Sequence, residues 1–217
     1  APEGMIDEAL FEGTPDELYQ RIDAIGETPI PPYLRRKAEA ADRVRYQSLF
    51  ARQRGAVAAP KAGLHFTPDL LGDITARGAE VATCTLHLGL GSFQPVEVED
   101  LSKHRMDSEF YQVRDAAVEI VNRALTHPDR TVTAVGTSVV RALESCLSAS
   151  KTLKHGQGWT DKFIYPIHDF HICERLLTSF HRPKSTLLMT VAAFAGYDLL
   201  MEAYEEAVRE EYPLFSF

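Results

Sequence analysis

Three short polar clusters each follow an apolar run, and each offers side chains or bare backbone able to hold or move charge. Lys61, Gly63 and His65 follow residues 56–59; His87, Gly89, Gly91 and Ser92 follow residues 81–86; Gly136, Thr137 and Ser138 follow residues 131–135. In chains that alternate strands and helices, ligands collect beyond the carboxyl ends of the strands. At Gly136-Thr137-Ser138 an apolar run turns into a helical pattern. Free backbone N–H groups there suit a carboxylate, a phosphate or a ribose hydroxyl. Arg141 and Glu144 stand one and two turns further on. The same residues serve equally as an ordinary helix cap followed by a local Arg141–Glu144 ion pair.

Proton transfer near neutral pH points to histidine. Of the eight histidines, His65, His87, His104 and His181 lie beside glycine, proline or small polar residues in predicted loops. His181 follows Thr178-Ser179-Phe180 and precedes Pro183, Ser185 and Thr186, a second polar rim leading into a helix start. Ser185 is a plain N-cap on the simpler view. His168, His171 and Cys173 do not complete a ligand set, so no metal is predicted. The pair Gly89 and Gly91 lacks the third glycine of a dinucleotide loop, Gln94 standing in its place, and no Walker loop, HExxH helix or GxSxG elbow occurs. Residues 35–54 carry Arg35, Arg36, Lys37, Arg43, Arg45, Arg52 and Arg54 against Glu39 and Asp42, with Tyr46 among them. Such a stretch is a solvated helix face or a surface for RNA phosphates and bases.

These clusters need elements to hold them. Thr14-Pro15-Asp16-Glu17 combines a cap, a first-turn proline and a capping-box glutamate, predicting a helix to Ile25 that stops at Gly26. Pro29, Pro31 and Pro32 then read as a linker or domain edge. Further helices are predicted over 42–52, 67–78, 115–125, 138–147, 185–195 and 199–210. Strands are expected over 81–88 and 131–135, with another at 163–165. The alternation places the chain in the α/β class, with a mixed sheet or a barrel-like α/β core and crossover helices.

Composition fits that class. Of 217 residues, 45% are hydrophobic and 25% charged, enough to bury a core and too polar for a membrane span. The apolar stretch 187–195 contains Thr190 and reads as a core helix. Three widely spaced cysteines, Cys84, Cys146 and Cys173, fit a reducing compartment. The N-terminus has neither a basic nor an apolar leader segment, so a cytoplasmic location is expected. The net charge of −8 argues against nucleic-acid binding by the whole surface but leaves room for the local basic stretch.

Beyond physical pattern, the wording of the polar rims is specific. GETPIPPYLRR (26–36), RYQSLFA (45–51), GAVAAPKAGLHFT (55–67), TLHLGLGSFQPV (85–96), HRMDSE (104–109), AVGTSVVRALES (134–145) and SFHRPKSTLLMTVAAFAG (179–196) run in one order. Together they resemble the S-adenosylmethionine:tRNA ribosyltransferase-isomerase family of queuosine biosynthesis. The resemblance implies a catalytic α/β domain over 29–217, incomplete at both ends, and the end of an inserted domain or linker over 1–28. The family's RDxSRLL-type block, most of its inserted small β-barrel and its GDAMLI-like tail have no counterpart, so the chain is expected to be the C-terminal two thirds of such a protein. Lys61 stands where the family generally has Thr, Ser179 where it has Asn, and Ile167 where a small residue or proline is usual.

The resemblance also implies a reaction. The ribosyl group of S-adenosylmethionine moves to the aminomethyl group of 7-aminomethyl-7-deazaguanine at the tRNA wobble position, giving epoxyqueuosine, adenine and methionine without a metal. On this expectation His65 or His181 is base or acid. His87, Gly89, Gly91, Ser92, Gly136, Thr137 and Ser138 border the co-substrate. Arg141 holds ribose or carboxylate, and Glu144 orients it. Arg35, Arg36, Arg43, Arg45 and Tyr46 meet the anticodon stem-loop, and the protein acts as a monomer away from membranes. The alternatives are another S-adenosylmethionine-dependent transferase and a non-catalytic tRNA-binding module.

Overall fold

The computed structural model describes residues 12–216, so the first eleven residues of the segment 1–28 lie outside the described residues. The chain divides into two compact units, one ending at Val44 and one beginning at Arg45.

In the first unit, helix α1 (Pro15–Ile25) begins as its sequence demands. The Thr14 side chain accepts from the Glu17 N–H, the Glu17 carboxylate accepts from the Thr14 N–H, and Gly26 ends the helix. A 3₁₀ turn at Pro32–Leu34 follows the prolines. Helix α2 is a single turn, Asp42–Arg45, rather than the eleven residues expected to Arg52. Tyr46 and Ser48 are both buried, two positions apart, and the Ala51 N–H closes a turn on the Ser48 carbonyl at 3.0 Å. An α-helix would turn two such residues to different faces.

In the second unit, a 3₁₀ turn (Lys61–His65) precedes α3 (Pro68–Ala76), which Thr67 caps. Then come β1 (Cys84–Leu86), β2 (Glu109–Val113), α4 (Asp115–Leu125), β3 (Thr133–Val135), α5 (Thr137–Ser145), β4 (Gly156–Thr160), β5 (Arg175–Leu177), α6 (Thr186–Ala195) and α7 (Tyr197–Arg209). The expected α/β class holds, and the strands form no closed barrel among the described residues. They form two sheets: antiparallel β1-β2-β4, with Leu86 opposite Tyr111 and Phe110 opposite Trp159, and a parallel pair β3-β5. Among the described residues, the helix-bearing crossover expected between parallel strands is found only between β3 and β5. Residues 163–165 form no strand; the Phe163 and Tyr165 rings stack there, 5.0 Å between centroids. Trp159, the only tryptophan, stands 71% exposed on β4, which among the described residues pairs only with β2.

The core gathers around α5. Val140, Leu143 and Cys146 pack with Val113, Val121, Ala134, Ile164 and Ile172, and α5 touches β1, β2, β3 and α6. Asn122 ties α4 to this core as a substitute backbone: its amide donates to the Leu153 carbonyl at 2.7 Å and accepts from the Leu153 N–H at 2.9 Å. Among the described residues, no single helix is long and apolar enough to cross a membrane.

Candidate functional site

Helix α5 is buried almost all round, yet it carries two charges, and a buried charge must be paired. Arg141 and Glu144 do not pair with each other as expected. Each nitrogen of the Arg141 guanidinium is committed elsewhere. Nη1 pairs with Glu109, Nη2 donates to the carbonyls of Thr160 (2.7 Å) and Asp107 (3.4 Å), and Nε donates to that of Lys162 (2.9 Å). Burial pulls the Arg141 guanidinium below its ordinary range, and Glu109 opposes that shift. Glu144 faces the other way, against His168 Nε2 at 3.3 Å and the His171 N–H at 3.4 Å. Tertiary partners impose the split, since side chains three positions apart on a helix stand close enough to pair.

Gly136, at φ +96, makes the corner between β3 and α5, a backbone conformation suited to glycine. No side chain caps α5, and the Thr137 and Ser138 N–H groups have no partner among the described residues. The N-terminal turn of α6 comes to the same place. Ser185 caps α6 by accepting from the Leu188 N–H at 3.1 Å, leaving the Leu187 N–H group uncommitted. Between the two turns lies a cavity of about 20 Å³, bordered by Leu86 and Leu88 at the end of β1, by Met106, Thr137, Ser138, Arg141, Lys162, Thr186 and Leu187, and by Thr190. Thr186 is 2% exposed, and its hydroxyl is buried without a hydrogen-bond partner.

Glu109 connects this corner to the second polar cluster. It is 1% exposed at the start of β2. While one carboxylate oxygen holds Arg141, the other accepts the Gly89 N–H at 2.6 Å. Gly91 packs so closely on Asp107 that a β-carbon there would collide with its carboxylate. His87 lies against Gly55, where a β-carbon would strike the imidazole. Its Nε2 is buried with no hydrogen-bond partner, and burial lowers its pKa. Ser92 falls in the 3₁₀ turn Leu90–Phe93.

The third cluster adjoins the corner through Ala62, which lies 3.8 Å from where a Gly136 β-carbon would stand. On the same 3₁₀ turn His65 is exposed, whereas Lys61 is half-buried. Burial and the neighbouring Arg182 lower the Lys61 pKa. His181 is buried beside it. Burial, and then the Lys61 charge, push its imidazole down to about 4. The His181 backbone is clamped by Tyr204, whose hydroxyl accepts the His181 N–H at 2.7 Å and donates to the His181 carbonyl at 3.1 Å, while Nε2 lies 3.1 Å from the Thr178 hydroxyl. Neither His65 nor His181 borders the cavity itself.

The basic stretch is less uniform than its sequence. In the first unit Arg36 is held bidentately by the buried Asp42 at 2.6 and 2.8 Å, Arg43 pairs with Asp23 at 3.1 Å, and Arg35 is exposed at φ 52. In the second unit Arg45 is exposed. Tyr46 is 3% exposed and packed in the core, so it offers no stacking surface, contrary to expectation. Its place beside arginines hid an inward-facing ring. Glu109 and Lys162 were missed as site residues. The one signal for Glu109 was an acid at the head of a short aromatic run, Glu-Phe-Tyr-Gln-Val, whose first and last positions are buried.

Comparison with known proteins places these features in a family. The chain is 48% identical over 96% of its length to the S-adenosylmethionine:tRNA ribosyltransferase-isomerase of Flavobacterium psychrophilum, covering 59% of that protein. It is 51% identical over 96% of its length to the one from Geobacter sulfurreducens, covering 61% of it. The chain thus spans about three fifths of the length of the curated relatives it matches. A crystal structure of S-adenosylmethionine tRNA ribosyltransferase from Thermotoga maritima aligns with a TM-score of 0.58 at 41% identity, over 72% of this chain and 49% of that one. With the model of the queuosine biosynthesis protein family matching residues 5–217, the chain belongs to that family.

Proposed function

We propose that this chain carries the catalytic portion of an S-adenosylmethionine:tRNA ribosyltransferase-isomerase, transferring and isomerising the ribosyl group of S-adenosylmethionine onto 7-aminomethyl-7-deazaguanine in the anticodon stem-loop. The observation that carries the reading is the meeting of two helix N-termini at the end of β1, with uncommitted N–H groups and a solitary buried hydroxyl. Such donors suit the polar end of a nucleoside-derived ligand. Membership of the family and the names of the relatives supply the substrate class.

In this reading the sulfonium acidifies the adjacent C5′ proton, a base removes it, opening of the ribose expels adenine, the aminomethyl nitrogen captures the sugar carbon and gives up a proton, and the C5′–S bond breaks with its electron pair leaving on sulfur as methionine. Epoxyqueuosine, adenine and methionine result. His181, neutral at working pH, accepts the proton. Because a ring titrating at about 4 gives up a proton readily, it returns that proton to the departing adenine. His65, on the turn that carries Lys61, is the second candidate for this work. His87, Gly89, Gly91 and Ser92 form the neighbouring wall, and Thr137 and Ser138 grip the co-substrate. Arg141 acts as a brace, its donors already spent on Glu109 and three carbonyls. Glu144 anchors the loop of His168 and His171 instead of orienting Arg141.

The test is incubation of the full-length protein with S-adenosylmethionine and tRNA bearing the aminomethyl precursor. Free adenine appearing in step with modified tRNA is the expected result. A methylated product without adenine would establish a different transferase, and tRNA binding without consumption of S-adenosylmethionine would leave a binding module.

A further inference from the structure

The cavity between α5 and α6 is too small for a nucleoside and has a definite electrostatic character. About 20 Å³ admits a group on the scale of one water molecule, so what enters is the tip of a ligand. Its border contains no carboxylate. Of its two cations, Arg141 is neutralised by Glu109, whereas the Lys162 ammonium has no ion-pair partner among the described residues. The helix termini contribute positive potential, with the N–H groups of Thr137, Ser138 and Leu187 uncommitted. The Thr186 hydroxyl, buried and without an acceptor, completes a set of donors that lacks only a small anion.

We propose that the N-terminal turns of α5 and α6, with the Thr186 hydroxyl and the Lys162 ammonium, form a carboxylate subsite for the methionyl end of the co-substrate. The assignment rests on the function proposed above and adds which end of the ligand is gripped, and by what. It gives Thr186 and Lys162 roles in binding. It also places the adenosine portion outside the cavity, toward the walls formed by the other polar clusters.

Calorimetric titration of the full-length protein with S-adenosylmethionine and with its decarboxylated analogue tests the subsite. The unsubstituted protein should bind the analogue at least tenfold more weakly. Thr186→Val and Lys162→Met should each weaken S-adenosylmethionine about tenfold, the scale of a lost charge-assisted hydrogen bond, and leave the analogue unchanged. Thr186→Ser, which retains the hydroxyl, should keep the original affinity and guards against misfolding of the valine variant. Equal affinity for both ligands, or equal weakening of both in the variants, would overturn the subsite while leaving the proposed function standing. Failure of the unsubstituted protein to bind either ligand would overturn the proposed function together with the subsite.

Discussion

His181 links folding to pH because its ring is held neutral by burial and by the Lys61 charge. Unfolded, it titrates near 6.5; folded, near 4. Between those values the unfolded chain binds more protons, so this stabilising contribution is complete above about 6.5 and is lost as pH falls toward 4. Its size is on the order of 3 kcal/mol. Denaturant titrations at pH 7.5 and 4.5 should show His181→Asn losing less stability than the unsubstituted protein over that interval. Equal losses would mean that the ring is solvated. In turnover, alanine at His181 should lower the rate by a factor on the order of 10². The same change at His65 decides between the two rings. Ile167 presents a different kind of strain: a β-branched side chain, 97% exposed, at φ 81, next to the histidine that meets Glu144. Ile167→Gly should raise the thermal midpoint by relieving about 1 kcal/mol of left-handed strain, and a lower midpoint would count against that.

At the scale of elements, β2 and α5 are joined by one carboxylate. Glu109→Ala leaves Arg141 enclosed without its partner and frees the Gly89 N–H, so urea unfolding should show a loss of about 3–5 kcal/mol. Glu109→Gln retains an oxygen for Gly89 and should cost less. Equal stability in both variants would show that the pair is dispensable. Helices were the legible part of this fold. Capping residues mark α1 and α6 in the sequence and three-to-four periodicity marks α4, so that Asp115–Leu125 falls where its pattern predicts. Strands were harder. β4 reads Gly-Gln-Gly-Trp-Thr and β2 begins on a buried acid, so neither shows the alternation of apolar and polar residues that identifies a strand. Their stability comes from pairing with partners distant in sequence.

For the whole molecule, the net charge of −8 makes tRNA binding depend on a few exposed cations rather than on the general field. If Arg35 and Arg45 meet phosphates, Arg35→Glu and Arg45→Glu should each weaken tRNA binding and lower the steepness of its salt dependence by about one. Arg36→Glu should act mainly through folding, because it places a second carboxylate against the buried Asp42. Filter binding across a salt series, with thermal unfolding of each variant, separates the two effects. The candidate site was legible where backbone chemistry defines it, as at Gly136-Thr137-Ser138. It was obscure where tertiary contact decides. Nothing in the sequence says that Arg141 would reach back to Glu109 across 32 positions, or that Tyr46 would turn inward. The single tryptophan adds a practical consequence. Because Trp159 stands in solvent on the strand that, among the described residues, ends its sheet, intrinsic fluorescence excited through the indole reads water at that edge, and core melting leaves it nearly silent. A blue shift on adding a macromolecule would therefore locate the newcomer on β4.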